Sequence, residues 1–291
     1  MNNNEELKNI GYSILGPFIV AYCKWLHEQK EILSLNGIIF LSRDGFLIKS
    51  IYEILFPEDK NIYYIRVSRK ALRLPFIAVC KSYDEFLKTI PPFRNYSVKD
   101  FVNAICDVNE IILPTDIDVN YTVSTLELQS DNVLKKTYEF VRKEIAEKAE
   151  KQCKYLNQYI NQHGIFGKIG LVDHSYKATS QYLLEKIIDM PGVSFWGLYF
   201  YTNEIADLRI SGNMSSFMDS IISKRNSIVF EKGILTERLL FETCGTTLCY
   251  EKKASGIVPV LATYFQQDDE DIIKYVQDGA RLFAQHYYEN K

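Results

Sequence analysis

The 291-residue sequence lacks the short motifs that most often announce a chemistry. It contains no GxGxxG, no GxxxxGK[ST], no GxSxG and no HExxH. The dinucleotide turn, the P-loop, the nucleophile elbow and the zinc-protease helix therefore have no local signature. Histidine is scarce, with 4 residues. His27 and His286 fall on helices, and His163 precedes Gly164 as a helix-terminal residue. The 6 cysteines (Cys23, Cys80, Cys106, Cys153, Cys244 and Cys249) form no CxxC pair. Zinc-site spacing is absent, and the thiols read as small apolar packing residues of a reducing compartment. A basic surplus is lacking too: 34 Lys and Arg face 37 Asp and Glu, a net charge of −3. This argues against general nucleic-acid binding, which needs a basic surface. The apolar run Ile14–Cys23 spans about ten residues, roughly half of what a membrane crossing needs, and it contains Gly16 and Pro17. It reads as a core helix. The polar start MNNNEELKN does not read as a signal peptide, so a cytoplasmic location is expected.

What is present is the composition of an ordinary globular protein with a sizeable core, 47% hydrophobic and 24% charged. Ile10, Ile14, Phe18 and Tyr22 recur at helical spacing and predict a helix over 5–30, kinked or restarted at Pro17. After the Asn36-Gly37 turn, GIIFL (Gly37–Leu41) suits a buried parallel strand, and Phe46–Leu55 is an amphipathic helix. Asn61–Val67 is rich in β-formers and reads as a second strand. Ser68-Arg69-Lys70 starts a loop or helix ending at Leu74-Pro75. Residues 82–130 mix short helices with polar loops, such as Pro91-Pro92. Residues 131–163 read as one long charged helix supported by opposite charges four apart and stopped by Gly164. KIGLV (Lys168–Val172) is a further buried strand, followed by a helix over Gln181–Ile188 and a strand over Gly192–Tyr201. Residues 202–235 read as irregular with a helical stretch near Met218–Ser223. Gly256–Leu261 reads as an edge strand and Asp268–Glu289 as a closing amphipathic helix. The alternation predicts an α/β fold: one domain over 1–291 with a mainly parallel, Rossmann-like sheet flanked by helices, and a mostly helical insertion around 80–165.

In such sheets ligands gather beyond the carboxyl ends of the strands, so the polar exit loops carry the functional signal. The first is Ser42-Arg43-Asp44-Gly45. A helix N-terminus there suits phosphate; Gly45 lets backbone approach a ligand, and Arg43 can clamp a phosphate. Asp44 can accept a sugar hydroxyl, hold a metal or act as base. The plain alternative is that Ser42 or Asp44 caps the helix and Arg43 is solvated. The second loop is Asp173-His174-Ser175-Tyr176-Lys177-Ala178-Thr179. Asp173 ends the strand, Ser175, Lys177 and Thr179 can cradle a phosphate, and His174 is the histidine placed for function. The plain alternative is a capped helix with a stray lysine. Arg66, Arg69, Lys70 and Arg73 concentrate positive charge after the second strand and point to an anionic substrate, or to a solvated helix face. Glu237, Arg238 and Glu242 are charges among apolar residues, either buried partners or an acid/base set.

These same residues carry a resemblance. LGPFIVAYCKWLHE, IIFLSRDGFLIKSIYEIL and YIRVSRKALRLP resemble the C-terminal domain of large bacterial polysaccharide-biosynthesis proteins, often labelled predicted hydrolases of the haloacid dehalogenase superfamily. That domain is similar to the glycan phosphoribosyltransferase of dual-domain ribofuranosyltransferases. The likeness covers roughly residues 8–285 and is anchored by SRDG (Ser42–Gly45), SRKALRLP (Ser68–Pro75), VDHSYKATSQ (Val172–Gln181) and ERLLFETCGTTLCY (Glu237–Tyr250). The third segment departs from the family's VD-Ile-Gly-Trp-x-Gly-Thr/Ser-x-Gln, with His174, Ser175, Tyr176 and Ala178 standing in. The fourth is looser, with Glu242-Thr243-Cys244 replacing an Ala-Pro-His-type segment. The dehalogenase label itself fails on chemistry: its DxD motif places a nucleophilic aspartate where this chain has Ser42.

The resemblance implies a glycosyltransferase of capsule or O-antigen synthesis that moves 5-phosphoribose from phosphoribosyl diphosphate to a lipid-linked glycan. A separate phosphatase would then remove the 5-phosphate. It assigns Asp44 and Asp173 as catalytic. Ser42, Arg43, Gly45, Arg66, Ser68, Arg69, Arg73, Ser175, Lys177 and Thr179 bind the donor, and His174, Tyr176, Gln181, Glu237 and Arg238 serve the acceptor or acid/base chemistry. It admits Mg²⁺ without assigning ligands, and it admits a peripheral position at the inner face of the cytoplasmic membrane. Two alternatives stay open: a glycosyltransferase of the same fold using another phosphorylated or nucleotide sugar, and a non-catalytic relative.

Overall fold

The structure is a computed structural model that describes residues 3–90, 95–174, 177–218, 233–263 and 267–290. Five parallel strands form the central sheet: β1 (Gly37–Leu41), β2 (Ile62–Ile65), β5 (Lys168–Asp173), β6 (Ser194–Tyr199) and β7 (Met214–Ser216), in the order β2-β1-β5-β6-β7. GIIFL is buried at every position, as a strand covered on both faces must be. Its side chains alternate between two cores. Ile38 and Phe40 join the residues of α2 (Gly16–Ile32), α3 (Gly45–Leu55) and the closing helix Gln267–Glu289. Ile39 and Leu41 join those of α4 (Arg69–Val79), α8 (Ala146–Asn161) and α9 (Thr179–Ile187). This second core runs without a break into the predominantly helical stretch before β5, taking in Phe86, Phe101 and Tyr138. The α/β architecture with a parallel sheet is as the sequence predicts. Among the described residues no helix is long and apolar enough to cross a membrane.

Several boundaries differ from expectation, each for a physical reason. The first helix is α1 (Asn3–Ile10), a π-helical turn over Gly11–Leu15, and then α2, in whose first turn Pro17 sits; proline suits a helix start because its missing N–H is not needed there. α4 does not stop at Leu74-Pro75 but continues to Val79. Ala71, Leu72, Phe76 and Ile77 are buried on both sides of the proline and hold the helix across the lost ladder bond. The long charged helix is two, α7 (Asn132–Glu144) and α8, separated at the buried Ile145, whose φ −99° and ψ 6° turn the chain. Charge spacing supports each turn locally and does not register that change of direction.

The stretch after 202 is not irregular. It holds α10 (Glu204–Arg209) and β7, which completes the sheet. In the expected helix near Met218–Ser223, Met218 lies in a bend and the rest falls outside the described residues, as does Pro91-Pro92. Gly256–Leu261 (β9) is no edge of the central sheet. It pairs antiparallel with β8 (Thr247–Lys253) in a separate hairpin, while β3 (Tyr96–Ser97) and β4 (Thr122–Val123) make a small pair ahead of α7.

Candidate functional site

The chain passes from β1 to β2 on one side of the sheet, then returns to place β5 on the other side of β1. The connections leaving β1 and β5 thus diverge and open a crevice at the carboxyl ends, the usual ligand position in open α/β sheets. The register Phe40↔Val172 sets the two strand ends side by side. Asp44 and Asp173 leave from those ends.

In the first loop, the Ser42–Arg43 peptide is cis. Ser42 does not cap α3: its hydroxyl donates to the Val67 carbonyl at 2.9 Å and ties the exits of β1 and β2 together. Asp44 occupies the N-cap position with helical dihedrals and makes no side-chain cap bond, so its carboxylate remains available to the crevice. Gly45 serves packing. A Cβ there would lie 2.8 Å from the Phe40 Cβ, so the bare α-carbon lets α3 sit against β1.

Electrostatics bind the two loops into one site. Burial raises the Asp44 carboxyl well above the ordinary carboxylate range, and the charges of Asp173 and Glu237 add to it, while Arg43 and Arg69 oppose. Glu237, on the helix Gly233–Leu240, is raised by burial as well; Arg69 and Arg43 oppose that rise and Asp173 adds to it. Asp44, Asp173, Glu237, Arg43 and Arg69 therefore share one field. Asp173 is 7% exposed. Arg69 is exposed and makes no hydrogen bond or ion pair among the described residues. Arg43 packs its guanidinium 4.2 Å from the centre of the Phe241 ring and donates to the Cys244 carbonyl at 3.1 Å.

Other expected residues are engaged elsewhere. Arg66 pairs with Glu242 (Nη2–Oε1, 2.5 Å) and donates to Cys244 Sγ at 3.3 Å, and Tyr64 donates to the other Glu242 oxygen at 2.8 Å. Its charge is already answered. Ser68 caps α4 by accepting from the Ala71 N–H, and its hydroxyl donates to the Thr247 carbonyl at 2.5 Å. Arg73 donates to the Asn103 carbonyl, and Arg238 is exposed. Gln181 is fully buried: it accepts from the Tyr199 hydroxyl and donates to Glu185 and to the Asn213 carbonyl, fastening α9 to the sheet rather than facing the crevice.

In the second loop, Ser175 and Tyr176 lie outside the described residues. His174 is 4% exposed, edge-on to Phe200 and Tyr201, and burial lowers its pKa to about 4. Its Nε2 has no hydrogen-bond partner among the described residues. The imidazole is therefore neutral at physiological pH and suited to hydrogen bonding rather than to carrying charge. Thr179 is buried, and its Oγ1 accepts from Arg209 Nη1 at 2.8 Å; the same nitrogen donates to the Lys177 carbonyl at 2.9 Å. Arg209 was missed in the sequence because it lies in the stretch read as irregular. The Glu242–Cys244 strap carried one signal, an acid in apolar surroundings, but its partner Arg66 is 176 positions away.

Magnesium takes hard oxygen donors, often one or two carboxylates plus substrate phosphates, and Asp44 and Asp173 are the carboxylates that fit that role. Among the described residues no group of three metal-ligating side chains is close enough to hold an ion alone. No family model matches the chain, and no curated protein matches it.

Proposed function

We propose that the protein transfers 5-phosphoribose from phosphoribosyl diphosphate to a glycan hydroxyl in bacterial surface-polysaccharide synthesis. The observation that carries this reading is the meeting of Asp44 and Asp173 with Arg43 and Arg69 in one field at the switch point of a parallel sheet. The acceptor oxygen attacks the anomeric carbon, the bond from that carbon to the diphosphate oxygen breaks, and the diphosphate leaves with the bonding pair. Arg43 and Arg69 neutralise the departing charge. Asp44 takes the acceptor proton, and its raised pKa makes it a stronger base than an ordinary aspartate. Asp173 accepts from a ribose hydroxyl. Ser175, Lys177 and Thr179 hold the 5-phosphate. Magnesium bound through a carboxylate and the donor phosphates would add positive charge at the leaving group.

In this reading the acceptor is lipid-linked, the enzyme works at the inner membrane surface, and a separate phosphatase completes the ribofuranose. Titration calorimetry with phosphoribosyl diphosphate against a panel of nucleotide sugars tests the donor. Selective binding of phosphoribosyl diphosphate is expected; preference for a nucleotide sugar, or no binding of either, rejects the assignment.

A further inference from the structure

Arg209 places its guanidinium among three segments far apart in the chain. Nε and Nη2 donate to the Lys88 carbonyl at 2.9 and 2.6 Å, while Nη1 donates to the Lys177 carbonyl and Thr179 Oγ1 at 2.9 and 2.8 Å. Every one of these acceptors is neutral. Among the described residues no carboxylate pairs with Arg209. Burial lowers its pKa; Tyr182 opposes that fall and Arg69 adds to it. A half-buried cation whose hydrogen-bond acceptors are all neutral is costly until an anion completes the site.

Thr179 supplies an independent observation. Its side chain is 4% exposed, and its oxygen accepts from Arg209. The hydroxyl proton is therefore left for another acceptor, and none stands near it among the described residues. Thr179 also opens α9, whose preceding residue, Ala178, has no side chain able to cap the first turn and sits in the left-handed region at φ 51°, ψ 27°. First-turn amides, a hydroxyl donor and the Arg209 guanidinium thus converge on one place.

We propose that Arg209 is a positioning residue for a phosphate monoester held at the N-terminus of α9. It frees the Thr179 proton to donate, fixes the Lys177 carbonyl, and brings charge that no protein carboxylate cancels. This subsite is separate from the Arg43 side of the crevice, so the two phosphate groups of one donor are recognised by different strands' loops. The identity of the ligand as a sugar 5-phosphate rests on the transferase reading.

Calorimetric titrations of the full chain with ribose 5-phosphate and with inorganic diphosphate separate the two subsites. Arg209→Gln and Thr179→Val are each expected to weaken ribose 5-phosphate by about tenfold or more, the scale of one hydrogen bond to a charged group. Diphosphate affinity should stay within about twofold, and Thr179→Ser should restore wild-type binding. The proposal is overturned if Thr179→Val is silent, or if Arg209→Gln lowers both affinities together; in either case the transferase reading stands as long as phosphoribosyl diphosphate binds. A wild-type chain that binds ribose 5-phosphate through Arg209 but not phosphoribosyl diphosphate keeps the subsite and rejects the transferase. Binding of neither rejects both.

Discussion

Arg66 and Glu242, 176 positions apart, meet at 2.5 Å beside the carboxyl ends of β1 and β2. Burial pushes the Glu242 carboxyl up, but hydrogen bonds from Arg66, Tyr64 and Cys244 outweigh it and hold the pKa below the ordinary value. A carboxyl depressed in the folded state stabilises above its unfolded pKa, and that contribution is lost as pH falls through the folded value. Glu242→Gln is expected to lower stability at pH 7 by about 1–2 kcal/mol, since it leaves a partly buried guanidinium without its anion. Urea unfolding at pH 7 and again below about pH 4 checks this. The difference between wild type and variant should shrink at the lower pH; an undiminished difference contradicts the account.

Asp44 has the opposite sign. Its carboxyl is raised by burial, then by Asp173 and Glu237, so above the unfolded pKa the ionised form opposes folding. Asp44→Asn should melt at a higher temperature than wild type at pH 7.5, with the gain vanishing below about pH 4, where the carboxyl is protonated in both states. On the transferase reading the same variant should lose about 10²–10⁴ in transfer rate, and Asp173→Asn should lower it as well. Undiminished turnover would remove either residue from the chemistry, whatever happened to stability.

Gly45 separates a packing role from a ligand role. Glycine at a helix start is ordinarily improved by alanine, yet a Cβ here would press on Phe40 at 2.8 Å. Gly45→Ala is expected to destabilise by about 1–3 kcal/mol, the range for an overpacked contact. Chemical denaturation decides the sign, and a more stable variant would show that α3 has room to shift.

Ser34 is the exposed counterpart. It ends α2 in the left-handed region at φ 51°, with Leu35 N–H bonding the Lys30 carbonyl and Ser34 N–H the Glu31 carbonyl. Glycine adopts this conformation without steric cost. Ser34→Gly should stabilise by about 0.5–1 kcal/mol and leave ligand binding untouched, which a thermal melt and one donor titration would show.

How legible these features were depends on where their partners lie. β1 was plain because GIIFL is buried at every position and its composition alone says so. The meeting of Asp44 and Asp173 followed from parallel topology, which sends both strand ends to one rim. β7 was hidden because three residues, MSS, show no alternation and join the sheet through backbone pairing. Arg66 looked like a ligand residue because neighbouring cations are visible in sequence while a carboxylate far along the chain is not. Gln181 sat within a suggestive segment, yet its amide is fixed by Tyr199, Glu185 and Asn213. Arg209 had no local pattern at all, since each of its acceptors belongs to another element.

The order in which strands are synthesised differs from the order in which they pair. β1 and β2 are close in sequence and can associate while the ribosome is still making the chain. β5 joins β1 only after everything between residues 66 and 167 has emerged. Closing so long a loop before any reward from contact slows folding. A nascent chain therefore carries Asp44 at the end of β1 before Asp173 has been made, and the two strand ends come side by side only when β5 pairs with β1.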